Sequence, residues 1–137
     1  MSPSVDPEIA RWQSEKREIG MIAFAPTHEA AEHFPYYPLP ESTVFLGIME
    51  VDGLCLANDG SLCVYDNEVE NRVVCRAAKD QSSFVAAMKK LDQYFEMCAT
   101  DDAYCDDMDA AAIVLDECSR LAGGDEFVSF FTSLLGV

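Results

Sequence analysis

Apolar positions recur every three or four residues at both ends of the chain and condense into short continuous runs in the middle. That change of period predicts helices flanking a β-rich centre. Asp6-Pro7-Glu8 reads as a helix start: Asp faces the open amides, Pro takes the first helical position and Glu meets the positive end of the dipole. Ile9, Trp12 and Ile19 give this helix an apolar side, and it is expected to end near Gly20. Met21 to Ala25 is a short strand-like run closed by Pro26. Thr27 is placed to cap a brief helical turn through Ala30, Ala31 and Phe34, after which Pro35, Pro38 and Pro40 force an extended connection.

The centre reads as strands. Val44 to Val51 is the first, ended by Asp52-Gly53. Leu54 to Ala57 and Leu62 to Tyr65 flank Asn58-Asp59-Gly60-Ser61, a hairpin signal in which Asp-Gly supplies positive φ at both central turn residues. A three-residue loop would set Cys55 directly opposite Cys63, and a two-residue loop would offset them; only the first register allows a cross-strand bridge, under oxidation. Asp66-Asn67 marks another turn and Val73 to Ala78 a further strand. The runs are apolar on both faces, which predicts a sheet with helices on one side and partial cover, or a contact surface, on the other.

The last third returns to helical spacing. Ser82 or Ser83 is expected to cap a helix bearing Phe84, Ala87, Met88, Leu91, Phe95 and Cys98. The acidic stretch Asp101 to Asp109 follows. A second helix carries Met108, Ala111, Ala112, Leu115, Cys118 and Ala122 on one side and stops at Gly123-Gly124. Asp125 then starts a short helix with Phe127, Phe130, Phe131, Leu134 and Leu135. The order argues for an α+β fold: an antiparallel sheet of four to six strands, an N-terminal helix and two to three C-terminal helices. With 137 residues and no repeat or linker, residues 1–137 are expected to form a single domain.

Charge changes the picture most at the C-terminal end. From Leu91 to Val137 there are eleven acidic residues and one basic residue, Arg120, which is −10 of the chain's −16. Asp101, Asp102, Asp106, Asp107 and Asp109 fall within nine positions. Such crowding raises self-repulsion and so speaks of partners and solubility rather than of fold. Nucleic acid and anionic membrane surfaces are disfavoured, because binding phosphate needs Lys and Arg. A basic protein is the expected partner.

The cysteines suggest no site by spacing. Cys55, Cys63, Cys75, Cys98, Cys105 and Cys118 include no C-x-x-C pair, and only His28 and His33 could complete a zinc set. The first twenty residues contain no apolar run, and no segment is long and apolar enough to span a bilayer. A reducing cytosol with free, mostly buried thiols is therefore the expectation.

Part of the central region resembles the SUKH superfamily. The residues are Phe45-Leu46-Gly47-Ile48, Leu54-Cys55-Leu56-Ala57, Gly60-Ser61-Leu62-Cys63-Val64-Tyr65-Asp66-Asn67-Glu68, and Ala77-Ala78-Lys79-Asp80-Gln81-Ser82-Ser83-Phe84. Their order is similar to that family's strand, hairpin, Tyr-bearing strand and Ala/Ser/Phe helix start. The resemblance covers about a third of the chain. It implies a non-enzymatic bacterial immunity protein that binds and blocks a toxin, and it carries over no catalytic residues.

Other chemistry fits the residues poorly. An EF-hand loop counted from Asp101 puts Ala103 and Cys105 at ligand positions; counted from Asp102, it puts Asp107 where Gly is needed and Ile113 where Glu is needed. A Cys–His nucleophile has no visible pairing, and Gly123-Gly124 lacks the spacing of a nucleotide loop. Neither a catalytic centre, a metal nor a cofactor is expected. The expected partner-binding residues are Asp101, Asp102, Tyr104, Asp106, Asp107, Asp109, Asp116 and Glu117, with Tyr36 and Tyr37 as aromatic anchors in the proline-rich loop. The expected function is neutralisation of a basic toxin, a nuclease being one class, by an acidic surface in the cytoplasm. The alternative is a regulatory or scaffolding interaction module without a toxin partner, and a homodimer is compatible with either.

Overall fold

The computed structural model of the chain describes residues 4–33, 38–40 and 42–137. Phe34, Pro35, Tyr36 and Tyr37, each part of an expectation above, lie outside the described residues. Asp6 accepts the Glu8 amide at 2.8 Å and starts α1 (Pro7–Glu15), as its sequence requires. The helix stops at Glu15, five residues earlier than Gly20. Lys16 turns left-handed with φ 51°, and its amide and that of Arg17 return to the Gln13 and Trp12 carbonyls. This releases Glu18 and Ile19 for a strand that helical spacing had concealed.

The strands are β1 (Glu18–Ile19), β2 (Ile22–Phe24), β3 (Val44–Met49), β4 (Asp52–Leu56), β5 (Leu62–Tyr65) and β6 (Val73–Ala78). They lie in the order β1-β2-β3-β4-β5-β6, each antiparallel to its neighbours. The architecture is α+β, with the full six strands of the expected range. The β3–β4 turn falls at Glu50-Val51, with Glu50 at φ 60°, so Asp52 and Gly53 belong to β4 instead of ending β3. The next hairpin has the three-residue loop. The Ala57 amide donates to the Ser61 carbonyl at 2.8 Å, the Gly60 amide to the Ala57 carbonyl at 3.0 Å, and Cys55 stands opposite Cys63. Gly60 has φ 92° while Asp59 does not share a positive φ, so a glycine bulge replaces the expected Asp-Gly pair.

Helices follow from caps and stripes. The remaining ones are α2 (Ala30–His33), α3 (Gln81–Thr100), α4 (Asp102–Cys105), α5 (Met108–Ala122) and α6 (Val128–Leu135), with 3-10 turns at Thr27–Glu29 and Asp125–Phe127. Thr27 does not cap its turn. Its hydroxyl donates to the Phe45 carbonyl at 2.9 Å, because buried Gln13 has drawn that segment inward by donating to the Ala25 carbonyl at 2.9 Å and the Phe45 carbonyl at 3.2 Å. Asp80, not Ser82 or Ser83, caps α3 through the Ser83 amide at 2.8 Å. The α3 stripe is as read, with Tyr94 added to its buried residues. The α5 stripe is rotated: Ala111, Val114, Cys118, Ser119 and Ala122 are buried, while Ala112 is exposed.

The larger core lies between one sheet face and α1, α3, α5 and α6. A chain of ring contacts crosses it, Trp12–Phe24 at 5.1 Å, Phe24–Phe84 at 6.4 Å, Phe84–Phe130 at 6.4 Å and Phe130–Phe131 at 5.0 Å. The opposite sheet face holds a small cluster, Ala25, Phe45 and Cys55, flanked by Ala30, Leu39, Ile48 and Tyr65. That is the partial cover which strands apolar on both faces predicted.

Candidate functional site

Helix α3 crosses the sheet from its β6 side to its β1 side. Its first residues follow β6 directly, and near its far end Phe95 packs where Gly20 turns β1 into β2. Arg17 also ion-pairs with Asp92 there. Helix α5 returns antiparallel beside α3: the Cys118 thiol donates to the Ala87 carbonyl, and the Lys79 amide to the Ala122 carbonyl at 2.9 Å. The acidic segment is the tip of this helical hairpin.

Two of its carboxylates have a local task. Asp101 accepts the Tyr104 amide at 3.1 Å and starts α4. Asp107 accepts the Asp109 and Ala110 amides at 2.9 and 3.2 Å and starts α5. The segment is thus a capped helical turn between two longer helices. Asp101, Asp102, Asp106, Asp107 and Asp109 are all exposed, and none forms an ion pair among the described residues. Asp116 and Glu117, on the flank of α5, differ. Asp116 pairs with Arg120 one turn on, and Glu117 with Lys90 of α3 at 2.9 Å, which raises the lysine's pKa. Exposed pairs of this kind are worth about 0–1 kcal/mol, so they reduce local charge without locking the side chains.

Tyr104 is half-buried with its ring 5.5 Å from that of Tyr94, so much of it packs on the protein's own surface. Tyr36 and Tyr37 lie outside the described residues. The fold adds three apolar side chains to the tip. Met108 is 76% exposed, Ile113 59% and Met97 49%. Met108 was expected on the inner side of α5. It is instead that helix's first residue, and its side chain is exposed. The spacing of Ile113, two positions past buried Ala111 and one before buried Val114, was the available signal for an outward residue.

A second cluster was not anticipated. Glu29, Glu32 and His33 bring ligand atoms within 4.8 Å of one another on the turn leading into and through α2, a Glu-x-x-Glu-His spacing that places them on one helical face. Such groups could hold a divalent ion. Glu29 already faces Lys16 at 3.4 Å, and His33 stacks on Phe45 with centroids 5.5 Å apart. No helix among the described residues is long and apolar enough to cross a membrane. Compared with protein-family models, curated proteins and solved structures, the chain gives no match.

Proposed function

We propose that the protein is a non-enzymatic binding protein, an immunity protein of SUKH-like type that neutralises a basic toxin in the bacterial cytoplasm by direct contact through the α3–α5 tip. The observation that supports this most is the composition of the tip: five exposed carboxylates that form no ion pair among the described residues, on the same helical hairpin as exposed Met97, Met108 and Ile113. Anionic groups together with exposed apolar side chains suit a cationic cleft with an apolar floor, and methionine is enriched in interface cores. Complementary charge raises association toward about 10⁸–10⁹ M⁻¹s⁻¹ at low salt, a useful property for a protein that must reach its target before damage is done. An acidic surface can stand in for phosphate at a nuclease cleft, so this class of toxin suits the reading.

The test begins with affinity capture from the producing cells at low and high salt, followed by association kinetics with the captured basic protein. Replacing Asp101, Asp102, Asp106 and Asp107 together by Asn is expected to slow association at least about tenfold and to flatten its salt dependence. Asparagine caps helices as well as aspartate does, so the two capped starts survive the substitution. Unchanged kinetics would reject the tip as the contact.

A second reading, an interaction module without a toxin partner, draws on the other edge of the sheet. There β6 exposes Val73 and Val74, at 45% and 48%. An edge strand offers unpaired backbone groups to a further strand, including β6 of a second copy. Under that reading sedimentation shows a concentration-dependent dimer that Val74→Lys abolishes. A wild-type monomer at every concentration removes the homodimer from consideration.

A further inference from the structure

Glu29, Glu32 and His33 each present one donor atom, and the three atoms lie within 4.8 Å of one another. The set is two carboxylates and an imidazole, not a run of acids alone. Contacts outside the cluster hold it in place. The His33 ring lies 5.5 Å from that of Phe45 in β3, with 19° between their planes. The His33 carbonyl accepts the Asn67 side-chain amide at 2.5 Å, and Asn67 also donates to the Val51 carbonyl at 2.9 Å. The imidazole is thereby tied to β3 and to the β3–β4 turn. The Glu29 amide donates to the Pro26 carbonyl at 3.0 Å, which fixes the start of the segment. Glu32 is exposed and forms no ion pair among the described residues. The cation that faces the cluster is Lys16, 3.4 Å from Glu29. One ammonium against two carboxylates leaves a net negative charge, which a divalent ion cancels.

We infer that Glu29, Glu32 and His33 form a binding site for one zinc ion or a similar first-row divalent metal. Imidazole beside carboxylate selects that class, because calcium and magnesium take shells of oxygen. Zinc binds His nitrogen and Glu oxygen at about 2.0–2.2 Å, so donor atoms around a tetrahedral ion stand about 3.3 Å apart. Closing to that spacing needs side-chain torsions of the two glutamates and no backbone movement. The Lys16 side chain is 65% exposed, and so open an ion pair does not lock Glu29. Three protein donors leave a fourth position to water. The role this gives the metal is structural. Helix α2 has only four residues, far too few to hold itself in water. An ion bridging Glu29 to Glu32 and His33 clips the 3-10 turn and α2 into one unit over Phe45, on the sheet face that has the smaller apolar cluster. Nothing in this site depends on what the α3–α5 tip binds.

The experiment titrates zinc chloride into the reduced full chain by calorimetry and follows the thermal midpoint. One ion per chain is expected, with a midpoint that rises with zinc concentration. Glu32→Gln changes an exposed side chain, and His33→Phe keeps an aromatic ring on Phe45. Each is expected to weaken binding at least about tenfold, since groups that merely orient a ligand are worth about 10–100-fold. Cys105→Ser, and the variant with Asn at positions 101, 102, 106 and 107, are expected to bind zinc as the parent does. Cobalt(II) used as the probe is expected to give no thiolate charge-transfer band in the near ultraviolet, because no cysteine belongs to the set. Absence of binding, undiminished binding in either Glu32→Gln or His33→Phe, loss of binding in the Asn variant, or a thiolate band with cobalt would overturn the proposal.

Discussion

Phe84→Ala is expected to lower stability by about 3–5 kcal/mol, read as a fall in denaturant midpoint at unchanged slope. Phe84 is fully buried in the first turn of α3. Its ring touches Phe24 of β2 on one side and Phe130 of α6 on the other, each at 6.4 Å. It therefore joins sheet, crossing helix and C-terminal helix at one point. Truncation removes the transfer free energy of the ring and leaves a cavity that three separate elements would have to collapse to fill. Against a total stability of about 5–15 kcal/mol for a native domain, that is a large share. Phe84→Leu keeps most of the volume and is expected to cost less than half as much. Equal midpoints for Phe84→Ala and the parent protein would show that the aromatic chain is not the centre of this core.

Gly47→Val is expected to be nearly as damaging, by the opposite mechanism. Gly47 sits opposite Phe24 where the register of β3 shifts between Phe45 and Gly47. A Cβ there would lie 2.5 Å from the Ala23 carbonyl oxygen and 2.8 Å from the Phe24 Cα. Both obstacles are backbone, so no rotamer change relieves them. Overpacking of this kind costs about 1–3 kcal/mol or more, and here it acts on the β2–β3 pairing directly. Amide exchange should show β2 and β3 opening first, with β5 and β6 still protected. Uniform protection across all six strands would contradict that localisation. Gly60, by contrast, is needed for its φ of 92° and has nothing within 4 Å of an added Cβ.

Much of the fold was legible because the signals are local. The Asp6-Pro7 start, the Gly123 stop, the hairpin around Gly60 and the α3 stripe each depend on residues within a few positions of one another. The misplacements have more than one cause, some distant and some local. Thr27 gives its hydroxyl to Phe45 because Gln13 organises that corner, and Asp80 outcompetes two serines that are equally good caps in isolation. The two-residue strand β1 was concealed because Ile19 fits a helical spacing until Lys16 turns left-handed.

At the tip the same division holds. The crowding of Asp101 to Asp109 is a property of the chain alone, as are the α+β order and the absence of a cysteine motif. The chain also contains Lys90 and Glu117, but only the antiparallel return of α5 brings them to 2.9 Å. Tertiary structure likewise decided that Met108 is exposed and that Tyr104 rests on Tyr94. Caps, turns and periodicity are settled over one or two turns of backbone, which the sequence states directly. Which side chains meet across elements depends on how α3 and α5 pack against the sheet and each other, and that becomes known only when the whole chain has folded.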